Sequence, residues 1–196
     1  MRDTVYVFAR LPQLGTVKRR LARDIGDRAA LRFYRATLAK TLRVLRADRR
    51  YKTVLAVTPD TASGGTMWPR GIPRVAQGSG TLEHRMGRIF KRNRGGRVAI
   101  VGSDIPDLSA NDVARAFKLL GRAQACFGPA RDGGYWLVAM SSRRPATPFA
   151  NVRWSSEWAR ADTLVNFKGR SVALLRELSD IDTGADLHER TTRRSQ

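Results

Sequence analysis

The sequence predicts an α/β fold with a largely parallel sheet that is covered by helices on both faces. Short apolar runs of strand length alternate along the chain with longer segments in which apolar residues recur every three or four positions. That alternation is typical of parallel sheets joined by crossover helices. Acidic residues, which are scarce in this chain, also gather where predicted strands end. Because such sheets bind ligands at the carboxyl ends of their strands, these acidic residues mark the expected site.

The first half of the chain contains two predicted strands separated by one long helix. Apolar side chains at three-to-four spacing indicate the helix, whereas the Gly- and Pro-rich stretch after the second strand shows neither period. In chain order, these elements are a strand over 4–9, a loop over 9–22, a helix from about Asp27 to Arg46, a strand over 53–58, and a loop from Thr61 to about Thr81.

The second half continues the alternation and adds a pair of strands around a short turn. Ser109 and Asp112 form a plausible capping box at the start of one helix. In chain order, the elements are a helix carrying Leu82, Met86, Ile89 and Phe90, a strand over 97–102, a helix ending at Leu120, strands over 123–128 and 135–140, a helix from about Ser156 to Phe167, a strand over 171–178, and a short terminal helix.

We expect a single domain over residues 1–190, followed by a basic tail over 191–196. A chain of 196 residues is long enough for one sizeable core but cramped for two. No apolar run approaches the roughly 18 residues that indicate a membrane span. The only cysteine, Cys126, can form no internal disulfide, which fits a reducing compartment. A cytoplasmic location is therefore expected.

The high positive charge of the chain suggests a polyanionic binding partner. Lys and Arg number 37 against 17 Asp and Glu, which gives a formal net charge of +20. The basic residues are spread over nearly every segment, and no zinc-finger, RRM or dsRBD signature is present. Three explanations stay open: a compositional habit, attraction of a small phosphorylated substrate, and a basic scaffold that binds RNA without turnover.

The loop after the first strand is a candidate phosphate-binding segment. It lacks the GxxxxGK[ST] pattern of a Walker A loop, and its cations come only after its single glycine. A flexible turn is thus followed by ammonium and guanidinium donors near the expected start of a helix, which suits a di- or triphosphate. The alternative is an ordinary solvated turn. The residues concerned are Arg10, Gly15, Lys18, Arg19 and Arg20.

Carboxylates cluster in three places that the fold is expected to bring to one crevice. Asp104 follows the third predicted strand, and Asp180 and Asp182 close the last one. Two or three carboxylates there would bind a hard divalent ion, which in turn bridges phosphate oxygens. Each cluster also has a structural interpretation, because acidic residues turn chains and open helices. That alternative applies to Asp107, Asp132 and Asp186.

Six motifs in fixed order resemble the DUF2064 family, also called selenodomain-associated transferase 1. That family is similar to the glycosyltransferase A, or nucleotide-diphospho-sugar transferase, superfamily, which includes guanylyltransferases acting on phospholactate and on the molybdenum cofactor. The resemblance covers nearly the whole chain. The motifs are PxxGxVKxRLA (12–22), QGxGxLxxRM (77–86), VGSDIPDL (101–108), GPAxDGGYWL (128–137), WSS (154–156) and DIDTxxDL (180–187).

The resemblance implies a single-domain, Rossmann-like mixed sheet of the glycosyltransferase A type and assigns roles to the motif residues. Phosphate contacts fall to the basic loop, a nucleobase or sugar lies against the glycine-bearing segment, and a Mg²⁺ or Mn²⁺ ion is held by aspartates. The resemblance implies catalytic Asp104, Lys18 and Asp132, nucleotide-binding Lys18, Arg20, Gln77, Gly78 and Gly80, and metal-binding Asp104 and Asp182. Arg10 and Gly15 join the nucleotide-binding set because they belong to the candidate phosphate-binding loop described above. One departure is Arg19, where the family usually has threonine.

Two reactions are compatible with this site. In the first, a nucleotide-sugar loses its diphosphate as an acceptor hydroxyl attacks the sugar, and this is the reaction that we favour. In the second, an acceptor phosphate attacks the α-phosphorus of a nucleoside triphosphate and pyrophosphate departs. Both depend on positioning and charge stabilisation. His84, His188, Cys126 and Trp154 are interpreted as structural residues.

Overall fold

The computed structural model describes residues 2–65 and 67–194, and a seven-stranded sheet forms the centre of this part of the chain. Its strands are β1 Thr4–Arg10, β2 Lys52–Thr58, β3 Arg74–Ala76, β4 Val98–Gly102, β5 Ala125–Pro129, β6 Tyr135–Met140 and β7 Val172–Leu174. They lie in the order β3-β2-β1-β4-β6-β5-β7. β6 runs antiparallel to β4 and β5, and the other neighbouring pairs are parallel. The predicted mixed, mostly parallel sheet is confirmed.

Helices cover both faces of this sheet, as predicted. They are α1 Arg19–Ile25, α2 Asp27–Ala47, α3 Leu82–Arg92, α4 Ala110–Leu119, α5 Ala159–Val165 and α6 Gly184–Arg194. Side chains of α2 and α4 share one apolar cluster with Val5 and Val7 of β1. Side chains of α3 and α5 share a second cluster with Tyr6 and Phe8 of the same strand. Successive residues of β1 therefore point into opposite layers of the core, as a pleated strand requires.

The sheet register places the candidate loops at one edge. Phe8 of β1 pairs with Gly102 of β4, so the loops after these two parallel strands leave the sheet side by side. The chain after β7 reaches the same edge, where Leu178 forms an isolated parallel bridge with Ala130. The segments that carry Lys18, Asp104 and Asp182 are thus neighbours because their strands run in the same direction.

Several short elements differ from the prediction. The last four residues of the predicted loop over 9–22 are helical instead, because α1 begins at Arg19, and the predicted loop over 61–81 contains β3. β7 covers only three residues of the strand predicted over 171–178, and α5 begins at Ala159 instead of Ser156. A helix of seven residues has only two turns, and a strand of three residues has less than two full periods, so tertiary contacts decide whether such elements form. Leu21 of α1, for example, is fully buried against Ala30 and Ile181.

The terminal helix α6 runs from Gly184 to Arg194 and so passes through the predicted boundary at residue 190. The last two residues of the predicted basic tail, Ser195 and Gln196, lie outside the described residues. Among the helices that the structure describes, none combines the length and apolar character needed to cross a membrane.

Candidate active site

The loop between β1 and α1 holds Lys18 at the edge of the sheet. Within this loop, the side chain of Val17 is buried. Lys18 adopts the left-handed conformation, with φ of 48°, immediately before α1. The hydroxyl group of Tyr34 donates to the carbonyl oxygen of Arg10 and accepts from its backbone N–H, both at 2.9 Å. The same hydroxyl lies 3.2 Å from Oγ of Ser103, which follows β4. Tyr34 therefore fixes the loop after β1 to the loop after β4.

The ammonium group of Lys18 lies between two carboxylates. Its Nζ is 2.7 Å from Oδ2 of Asp104 and 2.6 Å from Oδ1 of Asp182, and only 5% of the side chain is exposed. Burial of the ammonium group disfavours its charge, but the two carboxylates outweigh that effect and raise the pKa of Lys18 above its usual value. The predicted meeting of the basic loop with the acids after β4 and β7 is therefore present in the fold.

Asp180 adds a third carboxylate to this cluster. One oxygen atom from each of Asp104, Asp180 and Asp182 lies within 4.8 Å of the other two. Burial and the neighbouring Asp182 raise the pKa of Asp180 to about 6. Sequence reasoning placed Asp180 in the crevice but did not assign it to the metal. The signal that could have done so is the spacing of Asp180 and Asp182, because alternate residues of an extended segment point to the same side.

The segment that carries these acids is fixed at both ends by hydrogen bonds. At its end, Oδ2 of Asp186 accepts from the backbone N–H groups of Asp182 at 3.0 Å and Thr183 at 2.8 Å, which opens helix α6. At its beginning, the guanidinium group of Arg176 donates to both carboxylate oxygens of Asp112, each at 2.8 Å. Asp186 thus has the helix-opening role that its alternative interpretation described.

The remaining residues of the basic loop are more exposed than Lys18. The Arg20 side chain is 70% exposed, and its Nη1 lies 3.6 Å from Oδ2 of Asp182. Arg10 is exposed and donates from Nη1 to the carbonyl oxygen of Thr16 at 3.4 Å. Gly15 has φ of +72°, a conformation that favours glycine. Arg10 and Arg20 can therefore reorient toward a bound phosphate, whereas Lys18 is already held.

The glycine-bearing segment that was predicted to bind a nucleotide follows β3 directly. Gln77 is buried, and its Nε2 donates to the carbonyl oxygens of Ala56 at 2.9 Å and Ala9 at 3.3 Å. Gly78 has φ of +85°, and a Cβ atom there would lie 1.9 Å from Nη1 of Arg88. The Arg88 guanidinium group itself donates to the Gln77 carbonyl oxygen at 2.5 Å. Glycine is thus favoured at position 78 by its backbone angle, and a larger residue there would also displace the Arg88 guanidinium group.

Gly80 and Asp132, two other predicted site residues, lie in tight turns. Gly80 has φ of +96°, and a Cβ atom there would lie 3.1 Å from Cβ of His84. Asp132 lies in the turn between β5 and β6, where its Oδ1 accepts from the backbone N–H of Gly134 at 2.9 Å. Asp132 is exposed, so the turn hydrogen bond leaves its second oxygen at the protein surface.

Two cavities meet at the carboxylate cluster. The apolar cavity has a volume of about 240 Å³ and is lined mainly by aromatic and aliphatic side chains, with Asp104 at one end. The polar cavity has a volume of about 670 Å³ and includes Asp182 and Arg20. Asp132 and Asp180 line both cavities. A ligand in one cavity and a ligand in the other would therefore approach each other at these carboxylates.

The residues interpreted as structural have contacts that agree with that role. Nδ1 of His84 lies 2.8 Å from Oγ1 of Thr81, the residue that caps α3. Cys126 is buried, and burial raises the pKa of its thiol to about 12, so it is a poor nucleophile. Trp154 packs against Tyr135 and Phe149 at ring-centroid distances of 6.4 and 6.0 Å.

A family model and a solved structure match this chain over most of its length. The family model described as "Uncharacterized protein conserved in bacteria (DUF2064)" matches residues 41–156. A protein from Desulfovibrio desulfuricans, provisionally assigned as a nucleotide-diphospho-sugar transferase, is 28% identical, with a TM-score of 0.89 over 99% of this chain and 89% of that one. None of the curated proteins matches the sequence.

More distant solved structures share the fold. The Rv0371c protein from Mycobacterium tuberculosis, in a complex with manganese, is 19% identical, with a TM-score of 0.57 over 96% of this chain and 97% of that one. The 2-C-methyl-D-erythritol 4-phosphate cytidylyltransferase from Thermus thermophilus is 18% identical, with a TM-score of 0.59 over the full length of both chains. The sheet described above is therefore the one found in nucleotide-diphospho-sugar transferases and nucleotidyltransferases.

Proposed function

The chain belongs to the DUF2064 family and is a transferase, and on that premise we propose that it catalyses a metal-dependent transfer from a nucleotide-diphospho-sugar to a small acceptor. The observation that carries the proposal is the cluster of Lys18 with Asp104, Asp180 and Asp182 between two cavities. Residues 1–190 would form the catalytic domain, and the enzyme would work in the cytoplasm.

The carboxylate cluster fits a divalent cation. Its ligand atoms are all carboxylate oxygens, the donors that Mg²⁺ and Mn²⁺ prefer. Lys18 supplies one positive charge to this cluster of three carboxylates, so a further cation can be accommodated there. Asp104, Asp180 and Asp182 would hold the cation, which supplies positive charge to neutralise the diphosphate leaving group.

The residues of this chain would orient the two substrates. Arg20 and Lys18 would bind diphosphate oxygens, and Lys18 would turn from its carboxylate partners toward the phosphate once other positive charge replaces it. The acceptor oxygen forms a bond to the anomeric carbon of the sugar as the bond from that carbon to the diphosphate oxygen breaks. The electron pair leaves with the diphosphate, and the hydroxyl proton passes to the outward oxygen of Asp132, which lies where the two cavities meet.

A second candidate is nucleotidyl transfer, in which a phosphorylated acceptor attacks the α-phosphorus of a nucleoside triphosphate. The pair of cations in the loop after β1, Lys18 and Arg20, favours it because a triphosphate carries more negative charge than a diphosphate. Under this candidate, pyrophosphate departs and the same carboxylates hold the cation.

Thermal stability in the presence of nucleotides tests the proposal. We expect a nucleotide-sugar to raise the melting temperature only with Mg²⁺ or Mn²⁺, because selective binding stabilises the folded state by about 2.7 kcal/mol at 100 times Kd. Asp104→Asn should abolish that metal-dependent rise, and it should lower the stability of the ligand-free protein modestly, because Lys18 loses one of its two carboxylate partners and keeps Asp182. Asp182→Asn should have a milder effect.

The matched control is Asp107→Asn, because Asp107 pairs with Arg190 at 3.0 Å and lies outside the three-carboxylate cluster. It should keep the metal-dependent rise. Normal metal-dependent binding by Asp104→Asn, or unfolding of that variant, would make Asp104 structural and remove the proposed mechanism. Stabilisation by triphosphates alone would favour the second candidate.

A further inference from the structure

The apolar cavity opens onto the reacting groups of the proposed function. Its lining includes Asp104 and Asp180 of the carboxylate cluster and Asp132, the proposed proton acceptor. The polar cavity, on the other side of these acids, includes Arg20 and Asp182 and so suits the phosphates. A molecule in the apolar cavity would therefore lie beside the carboxylates at which the proposed transfer takes place.

The chemistry of the lining describes the group that fits there. Apolar side chains form most of the wall, so a ligand with an apolar surface gains free energy by leaving water. The wall includes Phe8, Leu82, Met86, Ile100, Tyr135 and Trp154. The volume of about 240 Å³ corresponds to roughly eight water molecules at ~30 Å³ each, which limits the bound group to about one ring or a short chain.

The charge of the lining disfavours a second anion beside the bound diphosphate. Lysine and arginine make up 37 of the 196 residues, yet among the described residues none of them lines the apolar cavity. Its charged groups are the carboxylates of Asp104, Asp132 and Asp180. A cation held by Asp104 and Asp180 would be matched by the diphosphate of the donor. A phosphate group in this cavity would therefore lose water without gaining a cationic partner of its own, and Asp132 and the diphosphate would repel it. The polar cavity differs, because it contains Arg20, Arg131 and Arg190.

We propose that the apolar cavity is the acceptor subsite and that it takes an uncharged hydroxyl compound with a small apolar or aromatic group. This inference rests on the proposed function and names its acceptor class. The acceptor hydroxyl points to the carboxylate end of the cavity, where its proton passes to Asp132 as its oxygen bonds to the sugar carbon. A phosphorylated acceptor, as nucleotidyl transfer would need, does not fit this subsite.

Ligand-observed NMR with benzyl alcohol and benzyl phosphate tests the subsite in the full chain. These probes share the ring and differ in the phosphate. We expect benzyl alcohol to bind at least ten times more tightly than benzyl phosphate in the presence of Mg²⁺ and a saturating nucleoside diphosphate, which occupies the cation. Equal binding of the two probes, tighter binding of benzyl phosphate, or binding of neither would overturn the proposal.

A cation placed at the cavity wall should weaken this preference. Leu82 is 41% exposed, so Leu82→Lys adds a positive charge without opening the core. We expect it to reduce the alcohol preference at least fivefold. Ser155 is an exposed residue of the same lining, and Ser155→Lys provides a second variant should the first fail to fold. Val165→Lys is the matched control, because Val165 is 71% exposed on α5 and does not line the cavity.

Nucleotide binding separates this inference from the proposed function. Metal-dependent stabilisation by a nucleotide-sugar is measured on the same samples and should be unchanged in Leu82→Lys and Val165→Lys. Absence of the alcohol preference in the unmodified protein, with intact nucleotide binding, would overturn the acceptor class alone. Absence of nucleotide binding in the unmodified protein would overturn the proposed function, whatever the two probes do. An unchanged alcohol preference in both lining variants would show that the probes bind elsewhere.

Discussion

At the scale of single residues, Lys18 differs most from its sequence-based description. A lysine in a basic loop suggests an exposed cation that contributes little to stability, but this side chain is 5% exposed and contacts two carboxylates. It acts as an internal counter-ion at the place where we propose a metal ion. Lys18 therefore affects both the stability of the ligand-free protein and nucleotide binding. Arg20, which is 70% exposed, is expected to affect only binding.

Lys18→Met should lower the free energy of unfolding of the metal-free protein by about 1–3 kcal/mol. It keeps most of the side-chain volume but leaves the carboxylates of Asp104 and Asp182 without their cation. Addition of Mg²⁺ should restore part of the loss. Urea unfolding with and without Mg²⁺ measures both effects.

Arg20→Ala is the control for Lys18→Met. Its pair with Asp182 is exposed, and the stability should change by less than about 0.5 kcal/mol. Both variants should weaken nucleotide binding. Equal stability of the two variants would contradict the counter-ion role of Lys18, and unchanged nucleotide affinity in both would make the loop a solvated surface.

At the scale of elements, helix α4 fixes the position of the acidic segment. Ser109 and Asp112 form the predicted capping box at its start, with the Ser109 side chain accepting from Asp112 N–H and the Asp112 side chain accepting from Ser109 N–H. The same Asp112 carboxylate binds Arg176, which follows β7. One residue thus caps a helix and anchors the chain that carries Asp180 and Asp182. The sequence predicted the first role, and only the tertiary structure revealed the second.

Asp112→Asn should lower the free energy of unfolding by about 1–2 kcal/mol near neutral pH, because it weakens a cap and a partly buried ion pair. Burial opposes its ionisation, but hydrogen bonds from Arg176 and Ser109 outweigh burial and lower the pKa of Asp112. The stabilisation is therefore present above the pKa of the unfolded state and lost as the pH falls through the lower pKa of the folded state. Urea unfolding across this acidic range should show the two proteins converging.

The control for Asp112→Asn is Glu177→Gln. Glu177 pairs with Arg131 at 3.7 Å, and both side chains are about half exposed, so this variant should cost less than about 0.5 kcal/mol. A pH-independent difference between Asp112→Asn and the unmodified protein would mean that lost packing, and not lost charge, causes the effect.

At the scale of the whole molecule, one basic groove lies apart from the proposed acceptor subsite. This surface groove of about 820 Å³ is lined by Arg50, Arg115, Lys118 and Arg122, on and beside α4. None of its described lining residues lines either of the two cavities at the carboxylate cluster. We expect a polyanion attracted by the charge of +20 to bind at this groove, apart from the proposed nucleotide site.

RNA should bind weakly near physiological salt, with no sequence preference and with an affinity that falls steeply as salt increases. We expect this because the lysine and arginine residues are dispersed over the protein, so they would contact RNA phosphates but not specific base edges. Fluorescence anisotropy with unrelated RNA sequences over a salt series measures it. A nucleotide with Mg²⁺ should not displace the RNA, and tight, sequence-selective binding would support the RNA-binding scaffold instead.

The sequence alone was sufficient for the layered fold, because long elements carry their own periodicity. Strand β1 and helices α2, α3 and α4 were recognised from apolar spacing and capping residues that depend only on neighbours along the chain. The direction of parallel strands then predicted that the loops after β1 and β4 would meet. Short elements such as α1 and β3 had too few residues to show a period.

The tertiary structure alone decided which of the predicted side chains touch and what lies beside them. Lys18 and Asp182 are 164 residues apart in the chain, so their contact depends on how α1, α6 and the sheet pack together. The absence of described cations from the apolar cavity also depends on packing, because its lining comes from six separate parts of the chain. Local sequence patterns describe neighbours along the backbone, whereas charge balance and cavity shape arise from residues that are distant in sequence.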